Sequence, residues 1–199
     1  MEAQANVTKP ELIVDLAWSL IKMACTQRRH PFHTPTLSTL SERGPEARSV
    51  ILRHADEENW ELRANADYRS PKVNQLKGDP RSSWLFYSFP DHLQVRCYGH
   101  TQVHHQDEIA DKAWRKSQLL SRRCYLAPIA PSLVISDLRP NLPPELVGRE
   151  PTEEEAEPGF ENFTVLRCRI TEMDILSLRY EGNLRVCAKP RNTPIWIAP

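Results

Sequence analysis

The apolar residues Leu12, Ile13, Leu16, Ala17, Leu20, Ile21 and Ala24 recur three and four apart, with Glu11, Asp15, Ser19 and Lys22 mostly between them. That period predicts an amphipathic helix over about 10–29, capped by Thr8 and opened by Pro10. The pattern then shifts to short runs rich in β-branched and aromatic residues: Thr34 to Leu40, Arg48 to His54, Trp60 to Ala66, Ser82 to Phe89 and Leu93 to His104. Five such runs bounded by turn residues predict strands in an antiparallel meander. Ser41-Glu42-Arg43-Gly44-Pro45 reads as a hairpin connection in which glycine takes a positive φ.

Between the third and fourth runs, Ser70 stands at an N-cap position, Pro71 at the first helical position, and Gly78 closes a short helix. A second helical stretch covers Gln106 to Leu120. It leads into a Pro-rich, then acidic segment, about 127–158, read as a long surface loop. Strand-like runs return at Phe163 to Thr171, Ile175 to Tyr180, Leu184 to Ala188 and Ile195 to Ile197, completing or closing the sheet. The expected architecture is mainly β with flanking helices, in one domain over 1–199.

Lysine plus arginine and aspartate plus glutamate number 26 each. No overall field draws the chain to nucleic acid or to an anionic membrane, so any anion site is local. The five cysteines are odd in number and form no C-x-x-C pair, which points to free thiols in a reducing compartment. The polar start and the absence of an apolar run of about 20 residues give the expectation of a cytoplasmic protein without a membrane span.

Arg69, Ser70 and Lys72 cluster at a predicted helix N-terminus, where backbone N–H groups and the helix dipole favour a phosphate. Arg48 and Arg53 lie in an otherwise apolar run, Arg48-Ser49-Val50-Ile51-Leu52-Arg53, and a bound anion would explain such charge there. Five residues apart on a regular strand, they face opposite sides unless one lies at a strand end or a bulge. His30 and His33 form an H-x-x-H and His104-His105 a pair, with no third ligand at metal spacing, so no metal is expected. Trp114 and Trp196 read as core aromatics or as stacking partners of a ring.

Three segments in order, Arg48 to Arg53, Ala66-Asp67-Tyr68-Arg69-Ser70-Pro71-Lys72 and Gln94-Val95-Arg96-Cys97-Tyr98-Gly99, resemble the motifs of the pyridoxamine 5′-phosphate oxidase family. The likeness runs from about Thr36 to the closing Ile197-Ala198-Pro199. It implies an antiparallel split β-barrel homodimer that binds flavin mononucleotide (FMN) at the subunit interface. Carried over, it places Arg48, Val50 and Ile51 along the flavin, Arg53 at the ribityl chain or ring, and Arg69, Ser70 and Lys72 on the phosphate. Gln94 matches the glutamine that hydrogen-bonds the flavin. Ala66 stands where the family often has a threonine, removing one donor. Asn183-Leu184-Arg185-Val186-Cys187 replaces the C-terminal Arg-x-His that grips vitamin B6 substrates, leaving Arg185 as the anion contact there. Trp114, Arg115, Ser117 and Arg122 lie where the oxidases hold substrate phosphate.

The resemblance therefore implies a divergent branch: an FMN-dependent oxidoreductase of unspecified small-molecule substrate. No side chain is assigned as catalytic, because the flavin carries the redox chemistry. The alternatives are a flavin-binding protein without turnover and a haem-handling split barrel.

Overall fold

The computed structural model describes residues 9–136 and 138–199. Helix α1 spans Pro10–Ala24, with Pro10 at its first position and Lys9 as N-cap residue, making no side-chain cap bond. Thr8, the expected cap, lies outside the described residues. The helix stops short of Arg29 because His33 Nδ1, 2.7 Å from the Ala24 carbonyl, caps its C-terminus, satisfying one of the orphan acceptors there. Its buried face carries Ile13, Val14, Ala17, Trp18, Leu20, Ile21 and Ala24. Leu12 and Leu16, expected on that face, are exposed, since Trp18 turns inward to meet Trp60 edge-on at 5.8 Å.

Nine strands follow: β1 Thr36–Ser41, β2 Gly44–Ser49, β3 Leu52–Asp56, β4 Glu61–Asp67, β5 Arg81–Ser88, β6 Leu93–His104, β7 Phe163–Ser177, β8 Leu184–Ala188 and β9 Ile195–Ile197. They form one sheet in the order β2-β1-β5-β6-β7-β4-β3, with β8 added on β7 and β9 on β8. The hairpin from β1 to β2 turns at Gly44, whose φ is +107°, a region that disfavours a Cβ. The expected meander is corrected here. Hairpins join β1 to β2, β3 to β4 and β5 to β6, but β1 pairs with β5, and β2 and β3 stand at opposite ends of the strand path. The run expected as one strand, Arg48 to His54, therefore breaks at Val50 and Ile51, where the chain leaves one edge for the other and Val50 N–H bonds the Pro35 carbonyl at 3.0 Å. Conversely, the runs expected at Phe163 to Thr171 and Ile175 to Tyr180 merge into one continuous strand, β7, which ends at Ser177 and leaves Leu178 to Tyr180 outside it.

The chain divides into two compact units. The first comprises the described part of Met1–Ala64 with Asp79–Thr101 and Arg167–Pro199. It holds Trp18, Leu37, Leu62, Trp84, Phe86 and Ile175 in its core. Within it, Gly99 lies so close to the neighbouring strand that an added Cβ would sit 2.3 Å from the Arg169 carbonyl oxygen. A backbone atom cannot yield as a flexible side chain does, so Gly99→Ala is expected to lower stability by about 2–3 kcal/mol. Urea unfolding of the variant checks it.

The second unit comprises Asn65–Gly78 and Gln102–Leu166. It contains α2 Pro71–Gly78, α3 Glu108–Lys116 and the short helices α4 Leu119–Arg122 and α5 Glu153–Ala156. Its core gathers Ala110, Trp114, Phe163 and Val165, with Tyr125 and Phe160 against them. The Pro-rich 127–158 segment is not bare loop: Leu146 is buried in a 3-10 turn, and Thr152 with Glu155 forms a capping box at α5. Among the described residues no helix is long and apolar enough to cross a membrane.

Candidate functional site

The start of α2 brings Arg69, Ser70 and Lys72 together, as the placement of Pro71 predicts. Lys72 Nζ donates to Ser70 Oγ at 3.0 Å. Ser70 is almost fully buried, and its hydroxyl, accepting from the ammonium, keeps its own proton to give. Arg69 is less free than its sequence suggests. Its Nε and Nη2 form a two-pronged pair with Asp67 at 3.0 and 2.7 Å, and Nη2 also donates to the Ala127 carbonyl at 2.9 Å. The Asp67 hydrogen bond, chiefly, raises the Arg69 pKa further. Those bonds use Nε and Nη2, so the donors on Nη1 complete the set.

Part of the backbone near the expected cradle is engaged by the same turn. Arg69 N–H bonds Asp67 Oδ1 at 2.9 Å, Ser70 N–H bonds the Asp67 carbonyl at 3.0 Å, and Val73 N–H bonds the Ser70 carbonyl at 2.9 Å. Pro71 has no N–H at all. Asp67 thus takes the amides of Arg69 and Ser70, and the side chains add an ammonium, a hydroxyl and a guanidinium edge as donors toward an anion. Asp67, Arg69 and Lys72 together leave one net positive charge. That donor set fits a phosphate monoester, for which point-charge and fork donors are complementary. Ala66 is buried beside the turn and supplies no donor.

In the first unit, Arg48 is the penultimate residue of β2. Its Nη1 reaches Thr39 Oγ1 at 2.5 Å and the Leu37 carbonyl at 3.3 Å, and Nη2 lies 3.5 Å from Glu46. Burial, the leading cause, lowers its pKa, partly offset by Glu46. Arg53 is exposed on β3, where the register skips from Leu52↔Ala64 to His54↔Arg63, so Arg53 is the bulged residue. The two arginines therefore lie on different strands, and the opposite-face rule for a single strand does not apply to them. Between them Val50 is buried and Ile51 partly exposed. Gln94 is half-buried on β6, opposite Tyr87 of β5.

Several candidates are used structurally instead. Trp114 is core, and its Nε1 lies 3.3 Å from Glu157. Arg122, nearly buried, donates from Nε to the Trp114 carbonyl at 3.1 Å and from Nη2 to the Arg115 carbonyl at 3.0 Å, capping α3. Arg115 pairs with Asp111, and Ser117 with the Ala113 carbonyl. Arg185 is gripped by Asp174 at 2.9 and 2.8 Å, and the same carboxylate takes Arg96 Nη2 at 2.5 Å. The Arg185 hydrogen bond leads the causes that hold the Asp174 pKa low. Trp196 lies on β9, paired with Val186 and partly exposed. His30 Nδ1 accepts from Phe32 N–H at 3.1 Å, and His104 Nδ1 stands 2.7 Å from Asp107. Among the described residues no three His, Cys, Asp or Glu side chains gather to hold a metal.

Sequence reasoning passed over two features. Tyr68, inside the motif, stacks on His105 with centroids 3.5 Å apart and planes 10° from parallel. Glu61, 1% exposed, is shared by Arg63 Nε and Arg167 Nε at 2.5 Å each. The local pattern signals neither the stack nor the second guanidinium on Glu61, because His105 and Arg167 lie 37 and 106 positions away.

Residues 16–105 match the family model described as "Pyridoxamine 5'-phosphate oxidase, FMN-binding domain". "Pyridoxine/pyridoxamine 5'-phosphate oxidase 2" of Arabidopsis thaliana is 31% identical over 100 residues, 46% of this chain and 50% of that protein. The Burkholderia mallei "Pyridoxine/pyridoxamine 5'-phosphate oxidase" is 34% identical over 91 residues, 45% and 41% of the two chains. The match thus spans about half the length of these curated relatives. Among solved structures, a pyridoxamine 5'-phosphate oxidase-related, FMN-binding protein from Nostoc punctiforme superposes with a TM-score of 0.69 at 20% identity, covering 93% of this chain and 96% of that one. PhzG from Burkholderia lata 383, in complex with tetrahydrophenazine-1-carboxylic acid, gives 0.66 at 14% identity, covering 98% and 95%.

The fold is therefore an antiparallel split barrel with flanking helices, shared with these solved structures. Residues 16–105 are thus similar to the FMN-binding domain of the pyridoxamine 5′-phosphate oxidase family, and that match supports FMN as the cofactor.

Proposed function

We propose that the protein is an FMN-dependent oxidoreductase acting on a small molecule, with the phosphate of FMN held at the start of α2. The observation that carries this is the side-chain donor set of Arg69, Ser70 and Lys72 with Lys72 Nζ already on Ser70 Oγ, inside the matched segment. Bound FMN supplies two-electron redox chemistry, while the protein supplies binding, orientation and electrostatics. Lys72 and the Nη1 donors of Arg69 neutralise the phosphate, and the Ser70 hydroxyl donates to it. Arg48, Val50 and Ile51 line the cofactor along the β2–β3 bend, Arg53 offers a mobile cation toward the ribityl chain or ring, and Gln94 gives the amide. The reading includes one functional domain over 1–199, a cytoplasmic homodimer with the cofactor at the interface, and no nucleic-acid or membrane partner. Leu85 and Tyr87, exposed apolar residues on one face of β5, support a second copy there.

A second reading, flavin binding without turnover, is favoured by one observation: Asp174 occupies Arg185, and α3 occupies Arg122, so two of the residues matched to substrate contacts are engaged inside the protein. An absorption spectrum of FMN-supplemented, desalted protein, followed by anaerobic addition of a nicotinamide donor and of pyridoxamine phosphate, separates the readings. A retained flavin spectrum that bleaches supports the oxidoreductase. Retained flavin that no donor bleaches supports the second reading, a red-brown spectrum the haem alternative, and a colourless protein overturns both flavin readings.

A further inference from the structure

We infer that Tyr68 is the positioning residue that gives the cradle its selectivity for the phosphorylated flavin, an inference that rests on the proposed phosphate role of Ser70 and Lys72. Tyr68 separates Asp67 from Arg69, so its ring fixes the turn that aims both neighbours. His105 lies flat on that ring at 3.5 Å, and Lys77 Nζ stands 3.9 Å from its centroid. Two groups that close cannot share one side, so the ring is sandwiched, with the imidazole on one face and the ammonium on the other.

Each part of the sandwich is itself tied down. His105 Nδ1 lies 3.0 Å from the Phe163 carbonyl, which can only accept, so Nδ1 carries the proton. Tyr68 N–H donates to the Asn162 carbonyl at 2.7 Å, and Asn162 Nδ2 donates to the Tyr125 carbonyl at 2.8 Å. The turn is thus clamped at ring and backbone, while Asp67 closes the amides of Arg69 and Ser70. The Arg69, Ser70 and Lys72 side chains can meet an anion only as they are aimed, and that aim is set by the residue between Asp67 and Arg69. Lys77, resting on an aromatic face, also places a second amine on the same short helix as Lys72.

The experiment is fluorescence titration of the purified full chain with FMN and, separately, with riboflavin, which lacks the phosphate. Tyr68→Leu is expected to weaken FMN binding about tenfold with riboflavin binding unchanged, and Lys77→Met about threefold, whereas Tyr68→Phe keeps the wild-type preference. A wild-type FMN to riboflavin ratio in Tyr68→Leu overturns the inference. If that variant does not fold, Lys77→Met and His105→Ala decide it, and an unchanged ratio in both overturns it. A wild-type protein that binds both flavins equally overturns the cradle reading itself, a result distinct from failure of Tyr68.

Discussion

Removing Lys72 and Arg69 together, as Lys72→Ala with Arg69→Ala, is expected to weaken FMN binding on the order of a thousandfold. Each charge-assisted hydrogen bond to a phosphate contributes roughly 1.5–3 kcal/mol, and about 1.4 kcal/mol is tenfold in affinity. The two substitutions are not equivalent. Lys72 bonds Ser70 within the same turn, so Lys72→Ala removes the charge together with that bond. Arg69 also carries Asp67 and the Ala127 carbonyl, so Arg69→Ala additionally loosens the turn and leaves Asp67 as an unpaired negative charge beside the anion. Arg69→Ala should therefore weaken FMN binding more than Lys72→Ala does. Titration with FMN and riboflavin checks the result, with circular dichroism to show that the fold survives. Unchanged FMN affinity in the folded double variant would exclude these residues as the phosphate site.

The second large effect concerns stability. Glu61 is buried between Arg63 and Arg167, and Glu61→Leu is expected to cost about 3 kcal/mol. Removing one partner of a buried ion pair leaves uncompensated charge, at roughly 3–5 kcal/mol. The lower end applies because the two guanidinium groups, 30% and 25% exposed, can be partly hydrated. Burial by itself would raise the Glu61 pKa, but the hydrogen bonds from Arg167 and Arg63 outweigh it and hold the pKa below the ordinary value. A depressed carboxylate pKa stabilises the fold above the unfolded-state value, about 4.3, and that contribution is lost as pH falls through the folded-state value. Unfolding midpoints measured from pH 7 down to pH 3 should fall more steeply for the wild type than for Glu61→Leu. Parallel curves would show that Glu61 contributes nothing to acid lability.

Much of this was legible in the chain. The period of apolar residues from Leu12 to Ala24, the Gly44 hairpin, the Ser70-Pro71 helix start and most of the strand runs needed only local rules, because a helix period or a turn depends on residues a few positions apart. The local pattern read Arg48 and Arg53 as five apart on one strand, whereas they lie on two strands, β2 and β3.

What the pattern could not carry was pairing at a distance. β1 beside β5, the break at Val50-Ile51, Asp174 between Arg96 and Arg185, Glu61 between Arg63 and Arg167, and the Tyr68–His105 stack all join positions far apart in sequence. Each is chosen by which surfaces the closed core brings together. The sequence by itself determined the elements, the motif and the charges available to an anion. Only the tertiary structure decided which of those charges are already spent on internal partners, because an arginine is available to a ligand only where no carboxylate or carbonyl of the fold reaches it first.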